Sequence, residues 1–186
     1  LQMVGGTVQS VPDATELATT ATLLSTTIDG HGIYEDIDGD EHLLLCYRTT
    51  TYSEPYDLVD INLDDDSLAH LKGGSGRTSG KTVVPHPNGK VYIGSGDSGA
   101  CLYEFDPALG SGRVVGQPTD RDLYVADLAP DGRIWFGTYP NGAIEVYDPQ
   151  LDTLYQAIDP DPDSPSGQYG YTIAVNPENT HVYLAL

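Results

Sequence analysis

A nine-residue phrase made of turn and strand residues occurs twice in this chain and begins a third time. The first copy starts at Pro87 and the second at Pro130, 43 residues later. Each copy is followed by a strand that ends in an aromatic residue and Asp-Pro, at Phe105–Pro107 and Tyr147–Pro149. The third copy starts at Pro177 and runs into the last residues of the chain. A period in the low forties built from short strands is typical of β-propeller blades.

Each copy holds short runs rich in Val, Ile, Tyr and Trp, separated by Asn-Gly or Asp-Gly dipeptides. Such runs predict strands joined by tight hairpins, and none is long enough to predict a helix. Both residues of these dipeptides accept positive φ angles at low cost, so type I′ turns are expected at Asn88–Gly89 and Asp131–Gly132. The predicted fold class is therefore all-β, a propeller of four-stranded antiparallel blades.

The repeat divides the chain into blades at about residues 31–73, 74–117 and 118–160, with an incomplete fourth at 168–186. Strand A of the first blade is expected at Gly32–Ile37. The N-terminal segment, residues 1–30, is expected to hold an outer or closing strand at Thr22–Ile28. Propellers contain about four to eight blades. We therefore expect the chain to belong to a larger ring, with the missing blades coming from the same polypeptide or from another copy.

The charge of the chain excludes several classes of partner. There are 28 acidic and 8 basic residues, for a net charge of −20. Phosphate repulsion would oppose nucleic-acid binding, and docking on an anionic membrane is disfavoured for the same reason. The acidity fits solubility in an extracellular or periplasmic setting. Cys46 and Cys101 fall in different blades and different strand types, which favours buried free thiols over a disulfide.

Basic residues are rare, so their placement is informative. We letter the four strands of a blade A to D in chain order. By analogy with other propellers, ligands are expected where the loops from strand B to strand C and from strand D to strand A of the next blade lie together. Four of the eight basic residues map to this face: Arg48, Arg77, Lys81 and Arg121. This concentration in an acidic chain predicts a site for an anion, such as a carboxylated sugar. Ion pairs with neighbouring carboxylates such as Asp97, Asp120 and Asp122 are the alternative.

His31 and several tyrosines are expected on the same face. His31 is expected just before strand A of the first blade, where it could act as a general base or acid; a loop histidine without a role is the alternative. Tyrosine makes up most of the aromatic residues, with 13 Tyr, 2 Phe and 1 Trp. The tyrosines expected on or near this face are Tyr34, Tyr52, Tyr124, Tyr139, Tyr169 and Tyr171. Tyrosine can stack on a sugar ring or donate a proton, and ordinary strand propensity is the alternative explanation.

Different roles are expected for these residues. The catalytic candidates are His31, Tyr124 and Tyr169. The substrate-binding candidates are Arg48, Tyr52, Arg77, Lys81, Arg121 and Tyr139. The metal candidates are Asp36, Asp38 and Asp40, because Asp36–Asp40 resembles the opening of a calcium loop. That segment departs from the loop pattern in having Gly at its fourth position and Tyr47 at its twelfth, and it coincides with a predicted A–B turn.

The phrase is Pro-Asn/Asp-Gly-Lys/Arg, then an aliphatic residue, an aromatic residue, an aliphatic residue or Phe, and Gly-Ser/Thr. Together with Asn-Gly-Xaa-Ile and a later Tyr-Asp-Pro, it resembles the blades of streptogramin-lyase-like propellers. It is also similar to the blades of lactonase-like and sugar-lyase propellers. The resemblance covers residues 80–186 well and residues 30–72 weakly. The matching residues are turn and strand positions, so the resemblance implies the fold and carries over no catalytic residue.

Three functions are compatible with these patterns. The first is a lyase that cleaves a uronate-containing acidic polysaccharide by β-elimination, with arginines neutralising the carboxylate. In it, His31 or a tyrosine would take the proton and a tyrosine would serve the leaving oxygen. The second is a non-catalytic propeller that binds a glycan, another small anion or a protein. The third is a metal-dependent lactonase or hydrolase, for which Asp97, Asp122 and Asn141 are the available ligands.

Overall fold

The computed structural model describes residues 28–48, 55–74, 79–97, 99–120, 122–159 and 168–186, and the backbone of an N-terminal hairpin. After the N-terminal hairpin, these residues form three antiparallel sheets of four strands and then one sheet of two strands. The all-β fold and its four-stranded propeller blades are thereby confirmed. The described residues include no helix long and apolar enough to span a membrane.

The strands of each blade pair in chain order. The N-terminal hairpin is β1 (Gln2–Val4) and β2 (Thr7–Gln9). Blade 1 is β3 (Ile28–Glu35), β4 (Glu41–Tyr47), β5 (Tyr56–Asn62) and β6 (Leu68–Gly73). Blade 2 is β7 (Ser79–Pro85), β8 (Val91–Gly96), β9 (Leu102–Asp106) and β10 (Ser111–Gly116), with a 3₁₀ turn at Pro107–Leu109. Blade 3 is β11 (Asp122–Leu128), β12 (Ile134–Tyr139), β13 (Ile144–Asp148) and β14 (Thr153–Ile158). Blade 4 is β15 (Thr172–Val175) and β16 (Val182–Ala185).

Neighbouring blades meet mainly through their first strands. β3 packs against β7, β7 against β11, and β11 against β15. One expectation for blade 1 was wrong: its first strand starts at Ile28 instead of Gly32. Ile28 therefore belongs to β3, paired with Tyr47, and not to a separate outer strand. The other residues of the predicted Thr22–Ile28 strand lie outside the described residues.

The cores lie between blades because side chains alternate across each sheet. In blade 2, Ile93 and Phe105 face blade 1, whereas Tyr92 and Leu102 face blade 3. All four are at most 1% exposed. Each such side chain contributes about 1.5–3 kcal/mol of burial free energy. Cys46 and Cys101 are buried free thiols, as the sequence predicted.

The A–B turns of blades 1 to 3 share one geometry that differs from the expected type I′, and the turn of blade 4 is one residue longer, closed by the bond from the N–H of Asn176 to the carbonyl of His181. In blade 2, the N–H of Gly89 donates to the carbonyl of His86, and the N–H of His86 donates to the carbonyl of Lys90. Gly89 has φ +80°, and the preceding Asn88 has no positive φ. This is a three-residue loop, a type I turn followed by one left-handed residue. The left-handed residues of the four turns are Gly39, Gly89, Gly132 and Asn179.

Candidate functional site

We call the blade end that carries the A–B turns the turn end, and the opposite end, where the D–A and B–C connections lie, the loop mouth. First strands start at the loop mouth. The residue four positions before the last residue of each first strand occupies an equivalent place in every blade: His31, Lys81, Tyr124 and Tyr171. Because β3, β7, β11 and β15 are successive neighbours, these residues form one row. The structure thus brings His31, Lys81 and Tyr124 into the row at the predicted face.

Two members of the row sit at irregularities of the ladder. The register of β7 against β8 shifts at Lys81, and that of β11 against β12 shifts at Tyr124. A bulge re-aims the side chain of the extra residue. In blade 1 the shift falls at Asp29, so His31 keeps a regular position opposite Leu45. His31 is exposed, and it makes no hydrogen bond or ion pair with a described residue.

Four tyrosines from blades 3 and 4 form a continuous aromatic cluster at the loop mouth. Tyr139 and Tyr169 stack, with ring centroids 4.1 Å apart and planes 21° apart. Tyr124 meets Tyr169 edge to face at 5.4 Å, and Tyr171 stacks on Tyr169 at the same distance. Tyr171 is 64% exposed, and the others are half-buried. The cluster therefore presents aromatic ring faces and hydroxyls to solvent.

Backbone pairing between the blades fixes the central stack. The N–H of Gly170 donates to the carbonyl of Thr138 at 3.1 Å, and the N–H of Gln168 donates to the carbonyl of Pro140 at 2.8 Å. Tyr169 and Tyr139 lie between these two bonds. A Cβ on Gly170 would lie 3.0 Å from the backbone of Gly137, so a larger residue there would push the two segments apart.

The hydroxyl of Tyr169 is held in its protonated form. The hydrogen bond with Tyr139 raises the pKa of Tyr169 above its usual value, and partial burial and the neighbouring phenols raise it further. A phenol of raised pKa is a weaker acid that keeps its proton. Tyr169 is therefore suited to donate a hydrogen bond, and the shift opposes a role as general base.

Lys81 is the available cation of the loop mouth. Arg77 and Arg121 lie outside the described residues, and five of the other six basic side chains pair with carboxylates. Within the described residues, Lys81 has no such ion pair, and its Nζ lies 6.0 Å from the centre of the Tyr124 ring. The side chains of Lys81 and Asp122 both lie against Gly96, without an ion pair between them. The ammonium group therefore lies beside the tyrosine cluster without being held in an ion pair with a described carboxylate.

Arg48 is differently placed. Its Nε and Nη2 donate to the two carboxylate oxygens of Asp29, at 2.8 and 3.1 Å, and the Asp29 side chain is 8% exposed. This pair ties the end of β4 to the start of β3. A substrate-binding role for Arg48 stays a prediction. The predicted binding residues Tyr52, Arg77 and Arg121 lie outside the described residues.

The carboxylates proposed as ligands of a hydrolytic metal are engaged with the loops. Asp122 accepts the N–H of Asp97 at 2.9 Å, and Asp97 accepts the hydroxyl of Ser79 at 2.7 Å. Asn141 donates its backbone N–H to Asp120 at 3.1 Å. Across the described ranges, no group of three or more His, Cys, Asp and Glu side chains is arranged to hold a metal ion.

Asp36, Asp38 and Asp40, the candidate calcium ligands, form the A–B turn of blade 1. Asp36 accepts the N–H groups of Asp38 and Asp40 at 2.9 and 3.0 Å. The hydrogen bond from Asp40 is the largest of several that lower the pKa of Asp36. Asp40 accepts the side-chain amide of Asn62 at 3.1 Å. These contacts account for the acidic segment as a capped turn, and calcium binding stays a prediction.

Tyr34 is at the turn end and not on the predicted face. It is 7% exposed and donates to Asp60 at 2.8 Å, while its ring stacks on His42 at 5.0 Å. β3 starts earlier than the sequence predicted, so Tyr34 is the second-to-last residue of the strand and lies near the turn end. A groove of about 460 Å³ lies nearby, lined in part by Pro85, Pro87 and Leu128. Glu35, His86 and Lys90 also line the groove, and Lys90 is paired with Asp106.

One buried residue of the loop mouth, Glu145, was missed from the sequence. Glu145 is fully buried in β13, and its Oε1 accepts the backbone N–H and the hydroxyl of Thr119, both at 2.6 Å. It also accepts the N–H of Asp120 at 3.2 Å. The available signal was a charged residue in the apolar run Ile144–Tyr147, where alternation places it toward the core.

Comparison with known proteins identifies the fold. Neither a protein-family model nor a curated protein sequence matches the chain. Similar solved structures include an auxiliary nutrient binding protein from Bacteroides thetaiotaomicron, at TM-score 0.59 and 14% identity over 86% of this chain. A protein of unknown function from the same organism gives TM-score 0.62 and 13% identity over 89% of this chain. The chain spans 36% and 40% of their lengths.

A virginiamycin B lyase from Staphylococcus aureus is also similar, with 12% identity over 83% of this chain and 62% of its own. Its TM-score of 0.39 is too low to carry an argument. At 13–14% identity, the two Bacteroides structures show the fold alone. These likenesses agree with a propeller at the level of fold and leave substrate and reaction open.

Proposed function

We propose that the loop mouth binds an acidic carbohydrate, with sugar rings on the tyrosine cluster and a carboxylate on Lys81. The observation that carries this proposal is the stack of Tyr139 and Tyr169 beside a lysine with no described carboxylate partner. Aromatic rings take the apolar faces of sugars while their hydroxyls bond the sugar oxygens. In a chain of net charge −20, a cation without an ion pair to any described carboxylate would attract an anion to this one place on the surface.

The rigidity of the cluster supports binding as the function. The ring pair is fixed by backbone hydrogen bonds on both sides, so little side-chain freedom is lost when a ligand lands on it. The nutrient-binding neighbour provides a precedent for ligand binding by a chain of this fold. A location outside the cytoplasm, extracellular or periplasmic, belongs to the same proposal because polysaccharide ligands are met there.

The test is calorimetric titration with oligogalacturonate and with its methyl ester, which keeps the sugar rings and removes the charge. The wild-type chain should prefer the acid. Lys81→Met should weaken binding of the acid by about 10- to 100-fold, the value of a charge-assisted hydrogen bond, and leave the ester unchanged. Lys90→Met is the matched control because Lys90 pairs with Asp106 at the turn end. Equal affinity for acid and ester would contradict the proposal.

A second candidate function is β-elimination on the same acidic polysaccharide. The specific observation in its favour is that exposed His31 occupies the same row as Lys81 and Tyr124. His31 would take the proton next to the carboxylate, Lys81 would stabilise the enolate-like charge, and Tyr169 would protonate the leaving glycosidic oxygen. Tyr124 would then bind the sugar or share the proton transfer.

The lyase would reveal itself by the ultraviolet absorbance of an unsaturated uronate during incubation with polygalacturonate. His31→Ala should abolish that signal and retain binding. Binding without any increase in absorbance would leave the propeller as a binding module and reject the lyase.

A further inference from the structure

A buried carboxylate in blade 3 is hydrogen-bonded to a loop at the surface. Glu145 lies opposite Phe136 in the ladder, is 0% exposed, and points toward blade 2. Its Oε1 accepts three donors from Thr119 and Asp120, the residues that lead into β11. A buried carboxylate is costly unless it is hydrogen-bonded, and these donors offset part of that cost.

The equivalent residues in blades 1 and 2 carry no charge. Phe136, Ile93 and Leu43 lie at the same distance from the A–B turns of blades 3, 2 and 1. The residue opposite Phe136 is Glu145, whereas Tyr103 lies opposite Ile93 and Ile61 lies opposite Leu43. An apolar or aromatic residue therefore satisfies the blade fold at this place. The glutamate occurs in the blade that supplies Tyr124 and Tyr139 to the cluster.

Asp120 is in turn hydrogen-bonded to both ends of the B–C loop of blade 3. Its Oδ2 accepts the hydroxyl of Thr138 at 2.8 Å and the N–H of Asn141 at 3.1 Å. These two residues flank Tyr139 and Pro140. The segment is thus held from one side by Asp120 and from the other by the bonds of Gln168 and Gly170. Tyr139 therefore lies between two sets of hydrogen bonds, and one set is made by Asp120, which is itself hydrogen-bonded to Glu145.

We infer that Glu145 and Asp120 are positioning residues that hold Tyr139 in its stack with Tyr169. The link from this stack to ligand binding rests on the proposed function. Neither residue has to touch the ligand. Glu145 fixes the backbone of Asp120, Asp120 fixes the two ends of the Thr138–Asn141 segment, and the segment fixes the ring.

The inference can be tested without a ligand, by NMR of the chain labelled with ¹³C in its tyrosine rings. Signals of Tyr139 and Tyr169 are assigned from Tyr→Phe variants, and stacked rings shift each other's signals upfield. In Asp120→Ala both signals should move toward the positions of unstacked tyrosine. Asp120→Asn, which keeps one acceptor oxygen, should restore much of the shift. Asp106→Ala is the control because Asp106 caps the 3₁₀ turn of blade 2 at the turn end.

Affinity for oligogalacturonate is the second readout. Asp120→Ala should weaken it by about tenfold, and Glu145→Gln should have an intermediate effect. Unchanged ring signals in folded Asp120→Ala would overturn the inference. If the wild-type chain does not bind the probe but the ring signals move, the proposed function fails and the positioning role holds. Should Glu145→Gln not fold, half-buried Asp120 still decides the question.

Discussion

The two ends of the blades follow different rules. At the turn end, the A–B turns of blades 1 to 3 repeat one backbone geometry, with a left-handed residue after a type I turn, and the turn of blade 4 is one residue longer. At the loop mouth, blades 2 and 3 share a bond from the hydroxyl of Ser95 or Thr138 to a backbone carbonyl, but the other side-chain pairs differ: Arg48 with Asp29, Ser79 with Asp97, and Asn141 with Asp120. Repetition at one end indicates a structural task common to all blades. Variation at the other end is typical of a surface adapted to a ligand.

The largest effect should come from removing the centre of the tyrosine cluster. Tyr169→Ala deletes the ring that contacts Tyr124, Tyr139 and Tyr171. We expect binding of oligogalacturonate to weaken by about 2–4 kcal/mol, as for a contact at the centre of an interface. Calorimetric titration measures it. Tyr183→Ala, in the same blade and 61% exposed, should leave affinity unchanged. Equal losses in the two variants would break the contrast between the two ends.

A turn-end change should show the opposite behaviour. Gly89→Ala places a Cβ where no atom lies within 4 Å, so its cost is the positive φ alone. We expect the free energy of unfolding to fall by about 1 kcal/mol, with affinity for the probe unchanged. Urea unfolding and titration on the same preparation measure both. A loss of affinity in the folded variant would show that the two ends are coupled.

The smallest effect concerns the ion pairs between blades 2 and 3 at the turn end. Arg113 donates to both oxygens of Asp152 at 2.9 and 3.0 Å, and this pairing lowers the pKa of Asp152. A lowered carboxyl pKa stabilises the fold above the pKa of the unfolded state, and that stabilisation is lost as the pH falls through the folded-state pKa. Because the side chains are 54% and 51% exposed, we expect only about 0.5 kcal/mol.

The measurement compares the unfolding midpoints of the wild-type chain and Asp152→Asn from neutral to acidic pH. The difference should be present at neutral pH and disappear at acidic pH. A difference that persists in acid would assign the effect to packing against Tyr147, whose hydroxyl donates to Asp152 at 2.8 Å.

The sequence predicted what depends on local signals. The period and the Asn-Gly and Asp-Gly dipeptides located the blades and turns, and they put Lys81 and Tyr124 at the loop mouth. The register shifts at those two residues could not be predicted because a bulge is decided by how two strands pair. The pairing of Arg48 with Asp29 depends on where β3 begins, which the sequence placed four residues too late.

Glu145 shows a second limit. Its charge was visible in an apolar strand, but its meaning depends on Thr119 and Asp120, which are 26 and 25 residues away in the chain. No periodic pattern connects a strand position with the loop that crosses it. Likewise, the Tyr139–Tyr169 stack arises from pairing between blades, which a repeat predicts in general and not residue by residue.

The tyrosine stack lies at the contact between two blades, so ligand binding there would depend on that contact. Tyr139 belongs to blade 3 and Tyr169 leads into blade 4, so a ligand that rests on both rings binds only when the blades are docked. By mass action, such a ligand adds its binding free energy to the docking of the fourth blade. The amide of Gly170, bonded to Thr138 across that seam, should then exchange its hydrogen more slowly as the ligand concentration rises.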